Sequence, residues 1–196
     1  MVAEAVGAGV SLVQLREKDL SARELVELGT RLLRPVRAAE AALVVNDRID
    51  VALALGAEGV HLGAGSIPVA QARRLIGESG FVGMSVHSLD EAVRAERDGA
   101  DYLVLGTIFD SRSHPGVHGA GPDLVRRVTS AVRIPVLAIG GITASNAGSV
   151  MEVGASGVAV ITAIQSAPDV ARATRALLEA IKPRPTGRRT QDSGLR

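Results

Sequence analysis

The chain has no cysteine among its 196 residues. That excludes disulfides and thiolate metal centres and is compatible with a reducing compartment. Aromatic residues make up only 2%, too few for the stacking platforms that hold single-stranded nucleic acid. Neither sign of charge dominates: 22 Lys and Arg against 21 Asp and Glu give a net charge of +1. The basic residues are scattered, so a nucleic-acid partner is not expected. No apolar run is long enough to span a bilayer, and no secretory leader is recognisable. These absences lead to the expectation of a cytoplasmic protein with neither membrane nor nucleic acid as partner.

What is present is aliphatic. Apolar residues make up 46% of the chain, so Val, Leu, Ile and Ala must fill the core. Short β-branched runs at 10–16, 42–46, 59–62, 81–86, 102–109, 135–139 and 157–161 are read as strands. Amphipathic stretches near 21–34, 48–55, 68–77, 89–98, 121–132, 144–153 and 167–182 are read as helices. Ser21 and Ser88 are placed as N-caps, and Gly56, Gly99 and Gly154 close helices. Alternation of this kind implies βα units and a parallel sheet.

Seven strands are one short of a closed (β/α)8 barrel. The chain opens in a helix-like segment, Val2-Ala3-Glu4-Ala5-Val6. The expected fold is therefore a single TIM-barrel domain over residues 1–182 that lacks its first N-terminal strand. An open doubly wound sheet is the alternative. The strand near Val10 should then have an unpaired edge, and a homo-oligomer is compatible with this. Residues 183–196 carry no apolar period and are read as a disordered polar tail.

In a parallel barrel the chemistry sits at the C-terminal strand ends. Those ends carry Gln14, Arg16 and Lys18, then Asn46 and Asp47, then Ser66 in a small-residue loop, then Ser85 and His87. Ser111, Arg112, Ser113, His114 and His118 follow in a long loop, then Gly140-Gly141 and Ile161-Thr162. Adjacent glycines let backbone amides approach an anion, so the last two pairs are read as a phosphate site. Plainer readings stand beside each. Arg16 and Lys18 could pair with Glu17, Asn46 could cap a helix, and Asp47 could complement that helix's dipole. His61 is read as a packed strand histidine with a satisfied ring. His114 and His118 could be surface residues. Ser85 and His87 share strand parity, so both can face the barrel mouth, with Ser85 orienting His87.

In order along the chain, Gln-Leu-Arg-Glu-Lys, Asn-Asp-Arg, Gly-Val-His-Leu-Gly, Ser-Val-His-Ser, Gly-Ala-Asp-Tyr, Ile-Gly-Gly-Ile and Gly-Val-Ala-Val resemble the thiamine phosphate synthase/TenI superfamily. The resemblance runs from about Ala3 to Ile181 and implies a (β/α)8 barrel. It also implies one of two activities. The synthase joins a pyrimidine diphosphate to a thiazole phosphate, with Mg2+ held by Asp47 and a second aspartate. Ser66 stands at that second position, and Ser111-Arg112-Ser113-His114 replaces a Thr-x-Thr-Lys segment. One carboxylate and a hydroxyl are a poor match for a hard cation. The expectation is therefore the other branch, a thiazole tautomerase that needs no cofactor and takes a small phosphorylated thiazole. In it His87, Ser85 and Lys18 would be catalytic. Gln14, Arg16, Asn46, Ser111, Arg112, Ser113, Gly140, Gly141, Ile161 and Thr162 would bind substrate. The alternatives are the Mg2+-dependent synthase, with Asp47 as metal ligand, and a non-catalytic phosphate-binding regulator.

Overall fold

Apolar strands separated by amphipathic helices bury most surface when every strand runs the same way with helices packed across them. The computed structural model describes residues 1–110 and 118–182. Within them lies one parallel sheet of seven strands, arranged in chain order. These are β1 (Leu12–Leu15), β2 (Ala42–Asn46), β3 (Gly59–Leu62), β4 (Phe81–Val86), β5 (Tyr102–Leu105), β6 (Val136–Ile139) and β7 (Gly157–Ala159). The helices are α1 (Val2–Gly7), α2 (Ala22–Ala38), α3 (Ile49–Leu55), α4 (Val69–Ile76), α5 (Leu89–Arg97), α6 (Pro122–Thr129), α7 (Ala147–Met151), α8 (Thr162–Gln165) and α9 (Val170–Ile181).

Successive right-handed crossovers between neighbouring strands put the helices on one face. The sheet curls around the other face into a barrel short of one strand. Leu43, Val60, Leu62, Val82, Val86, Leu103 and Leu105 on its outer face are fully buried, packed with helix residues such as Ala72, Ala92 and Val125. Burying one such side chain stabilises the fold by about 1.5–3 kcal/mol. The alternate positions line the lumen. They include Gln14, Asn46, His61, Ser85 and Tyr102, which bond one another across strands. Among the described residues β1 pairs only with β2, and β7 only with β6. The expected unpaired edge at β1 is thus present, and the open doubly wound alternative is excluded by the strand order.

Local chemistry fixes the element ends. Ser21 and Glu24 form a reciprocal capping box at the start of α2. The Ser88 hydroxyl accepts from Glu91 N at the start of α5. Gly56 ends α3 with φ 59. Several expected boundaries move, β1 for instance narrowing from 10–16 to Leu12–Leu15. α2 runs through Pro35 to Ala38 rather than stopping at 34, because Leu33 and Val36 are buried there. β5 stops at Leu105, although Ile108 N and Phe109 N still donate to the carbonyls of Ile139 and Gly140. β7 ends at Ala159, where strand had been expected up to Ile161, and residues 162–165 form the one-turn helix α8. The tail assigned to 183–196 lies outside the described residues. Among those described, no helix is long and apolar enough to cross a membrane.

Candidate active site

Lumen parity brings the first group of candidate residues together. Gln14 Nε2 donates to Asn46 Oδ1 at 3.0 Å, and Asn46 Nδ2 donates to Asp47 Oδ2 at 2.8 Å. Asp47 Oδ1 accepts a short hydrogen bond from Ser66 Oγ, and Ser66 Oγ accepts from Gly63 N at 2.6 Å. The chain of contacts runs across β1 and β2 and ends in the loop after β3. Asp47 holds φ at 59, a left-handed conformation that aspartate tolerates better than most side chains. This turns the chain from β2 into α3 and leaves the carboxylate exposed at the strand ends.

Arg16, Lys18, Asn46, Asp47 and Arg48 line a cleft of about 320 Å3 beside that carboxylate. Arg48 is spent on Asp50, at 2.6 Å. Among the described residues Arg16 and Lys18 make no ion pair, so the pairing considered with Glu17 does not form. Two uncommitted cations next to an oxygen cluster suit a polyanion. A wider groove of about 510 Å3 lies outside the barrel between α2 and α3, away from these groups.

The donor set can also hold a hard cation. The Asp47 carboxylate and the Ser66 hydroxyl lie in hydrogen-bond contact with each other. Magnesium is usually bound through one or two carboxylates together with substrate phosphates and water. Among the described residues no group of three or more His, Cys, Asp or Glu gathers as a metal cage, so the remaining ligands would come from substrate. The residues present fit Mg2+, more weakly than two carboxylates would.

His61 is the packed strand histidine that the sequence suggested. It is 3% exposed, with Nδ1 3.1 Å from Tyr102 Oη and Nε2 2.8 Å from Ser85 Oγ. Burial pushes its pKa down to about 4, so the ring is neutral at physiological pH. Burial raises that of Tyr102. Here the expectation for Ser85 needs correction. Its hydroxyl orients against His61, while the ring of His87, exposed at the end of β4, bonds through Nδ1 to the Gly106 carbonyl. Same parity had made Ser85 and His87 look like partners, but the tighter cross-strand neighbour of Ser85 is His61.

On the far side, Gly140 and Gly141 hold φ at 97 and 62. A Cβ on Gly141 would lie 2.5 Å from Asp110 O, and one on Gly140 2.6 Å from Thr107 Cγ2. The pair is therefore also required by the chain after β5, which packs directly over it. Asn146 fixes the turn, donating to Gly141 O at 2.9 Å and accepting from Thr143 N at 2.8 Å. Ile161 and Thr162 are exposed at the start of α8, whose first amides have no intrahelical acceptor. His118 is exposed, 3.9 Å from Asp110. Ser111, Arg112, Ser113 and His114 lie outside the described residues.

Fold and site together define a class: a parallel barrel-type protein whose C-terminal strand ends gather Arg16, Lys18, Asn46 and Asp47 in one cleft. The profile of the thiamine monophosphate synthase family (TMP-TENI) matches residues 1–164, and the chain belongs to that family. It is 46% identical to the thiamine-phosphate synthase of Haloarcula marismortui, covering 93% of this chain and 88% of that one. It is 47% identical to the thiamine-phosphate synthase of Roseiflexus castenholzii over 91% and 79%. A solved thiamine phosphate pyrophosphorylase from Pyrococcus furiosus superposes with a TM-score of 0.85 at 40% identity, covering 92% of this chain and 87% of that one. These relatives overturn the tautomerase expectation: they carry a transferase name, and the isomerase assignment is withdrawn. The physical error was to let Ser66, together with His114 in place of a lysine, decide the branch. A hydroxyl facing Asp47 still supplies oxygen, and one carboxylate suffices when phosphates complete the shell.

Proposed function

We propose that the protein is a thiamine-phosphate synthase that joins a hydroxymethylpyrimidine diphosphate to a thiazole phosphate. The pyrimidine methylene loses its bond to the diphosphate oxygen, the thiazole ring nitrogen forms the new C–N bond with its lone pair, and pyrophosphate leaves. One observation carries the reading: the uncommitted Arg16 and Lys18 share a cleft with Asp47, whose carboxylate is hydrogen-bonded to Ser66 from outside that cleft's lining. A proton shift within a thiazole monophosphate needs no such concentration of charge. A departing diphosphate does, because negative charge grows on it as the bond breaks.

Each residue has a role in this reading. Arg16 and Lys18 hold the diphosphate. Gln14 and Asn46, already bonded to each other, present their remaining amide atoms to the pyrimidine edge, and Ser85 adds a hydroxyl from β4. Asp47, with Ser66, would hold Mg2+, which supplies charge neutralisation to the leaving group. Backbone amides at Gly140, Gly141, Ile161 and Thr162 anchor the thiazole phosphate. Ser111, Arg112 and Ser113 are assigned to the phosphates by their motif. His87 has no proton to shuttle in this reaction.

The test supplies both substrates to full-length protein and follows pyrophosphate and thiamine phosphate. Release of both, lost with EDTA and restored by Mg2+, is expected. No product from the pyrimidine diphosphate at saturating thiazole phosphate would refute the reading.

A further inference from the structure

Beneath the strand ends lies a polar chain whose two inner members, His61 and Tyr102, have no part in the roles above. The His61 imidazole is buried, and both its nitrogens are engaged, by Tyr102 Oη at 3.1 Å and Ser85 Oγ at 2.8 Å. Sheet register builds this contact. His61 stands opposite Gly83, and Gly83 opposite Tyr102. A Cβ on Gly83 would fall 2.1 Å from Tyr102 Cζ. The missing side chain on β4 is what lets the β5 phenol reach the β3 imidazole.

The sense of the chain follows from counting protons. A neutral imidazole offers one N–H and one lone pair. Among the described residues the Tyr102 hydroxyl has His61 as its hydrogen-bond partner. Were Nδ1 protonated, the buried phenol hydrogen would have no acceptor, an arrangement folded proteins rarely keep. Tyr102 therefore donates to Nδ1, Nε2–H donates to Ser85 Oγ, and the Ser85 proton is left free at the half-buried mouth.

We propose that Tyr102 and His61 are positioning residues that fix Ser85 as a hydrogen-bond donor to an acceptor atom of the substrate ring, such as a pyrimidine nitrogen. The identity of that acceptor rests on the transferase reading; the proton arrangement does not. Ser85 would thereby favour heteroaromatic rings with a lone pair at that edge over rings carrying N–H or C–H there.

Two measurements test this on the full chain. Nitrogen-15 spectra of histidine-labelled protein should show His61 protonated at Nε2 and bare at Nδ1. A proton on Nδ1 would overturn the proposal. Kinetically, Tyr102→Phe keeps the ring and removes only the hydroxyl. It should lower kcat/KM for the pyrimidine diphosphate by about three- to tenfold, the worth of one hydrogen bond. The KM for the thiazole phosphate should stay unchanged, which a general loss of structure would not spare. In a Ser85→Ala background the same substitution should add nothing, because its effect travels through Ser85. Additive losses would overturn positioning through Ser85. Should the wild type show no transferase turnover, the transferase reading fails by itself and the nitrogen spectra still decide the proton arrangement.

Discussion

The strand ends of β1 to β4 and those of β6 and β7 build their sites from different material. The first half uses side chains: Gln14, Asn46, Asp47 and Ser66 joined by hydrogen bonds, the uncommitted Arg16 and Lys18 beside them, and Ser85 held by His61. The second half uses backbone: two left-handed glycines and the opening amides of α8. Side chains can be exchanged one at a time, and each exchange alters charge or hydrogen bonding locally. A backbone site is held by packing, so altering it disturbs the segment lying on top. Substitutions in the first half should act on chemistry with little loss of stability, and those in the second should reverse that balance.

The largest effect is expected at Asp47. Replacement by Asn keeps size and a hydrogen bond to Ser66 but removes the charge. Turnover should fall by about 10²–10³-fold, the usual consequence of losing one organised electrostatic group. The denaturation midpoint should barely move, because the side chain is exposed. Full activity in Asp47→Asn would break the assignment of this half to diphosphate and metal.

Next comes a group between the halves. His61 is neutral when folded, with a pKa near 4 against about 6.5 in an unfolded chain. Above pH 6.5 the ring is neutral in both states and contributes nothing to the pH dependence. Between 6.5 and 4 the unfolded chain takes up a proton that the folded chain refuses, so stability drops as pH falls. The loss approaches about 3 kcal/mol near pH 4. Urea unfolding at pH 7.5, 5.5 and 4 should show this slope, and His61→Gln should flatten it. Equal slopes in the two proteins would remove His61 as its source.

In the backbone half, Gly141→Ala should destabilise by about 2 kcal/mol. It combines the penalty of a left-handed alanine with a Cβ forced against Asp110 O. Affinity for thiazole phosphate should fall with it, while Mg2+ binding at Asp47 stays as it was. Thermal melting and titration calorimetry on one preparation separate the two readouts.

The same division explains what the sequence could reveal. The strands at 42–46, 59–62 and 81–86 match the structure to the residue, because β-branched runs bounded by polar or glycine turns leave little latitude. Arg16, Lys18, Asn46 and Asp47 gather in one cleft because consecutive parallel strands must end side by side. The partner of Ser85 was out of reach, since it depends on the register of β3 against β4. Gly83 reads as an unremarkable strand glycine until Tyr102 is seen crossing it. The branch within the family was misjudged for a chemical reason. A serine in place of a carboxylate changes metal affinity by degree, and degree is not legible from residue type.

That degree can be measured, and it is the smallest effect expected. The Ser66 hydroxyl is hydrogen-bonded to Asp47, so a cation held there would meet one carboxylate and one neutral hydroxyl. Ser66→Asp would offer two carboxylates, which repel each other without metal and bind a divalent ion together. Affinity for Mg2+ should rise by about tenfold, or roughly 1.4 kcal/mol, by the usual conversion. In the metal-free protein the paired carboxylates should lower stability slightly, and Mg2+ should restore it. Turnover at saturating Mg2+ should change little, because substrate phosphates would supply the remaining ligands; the gain should appear at low Mg2+. Calorimetric titration with Mg2+ and melting with and without it read both quantities. If Ser66→Asp leaves Mg2+ affinity unchanged, Ser66 does not face the metal, and the cation belongs elsewhere in the cleft.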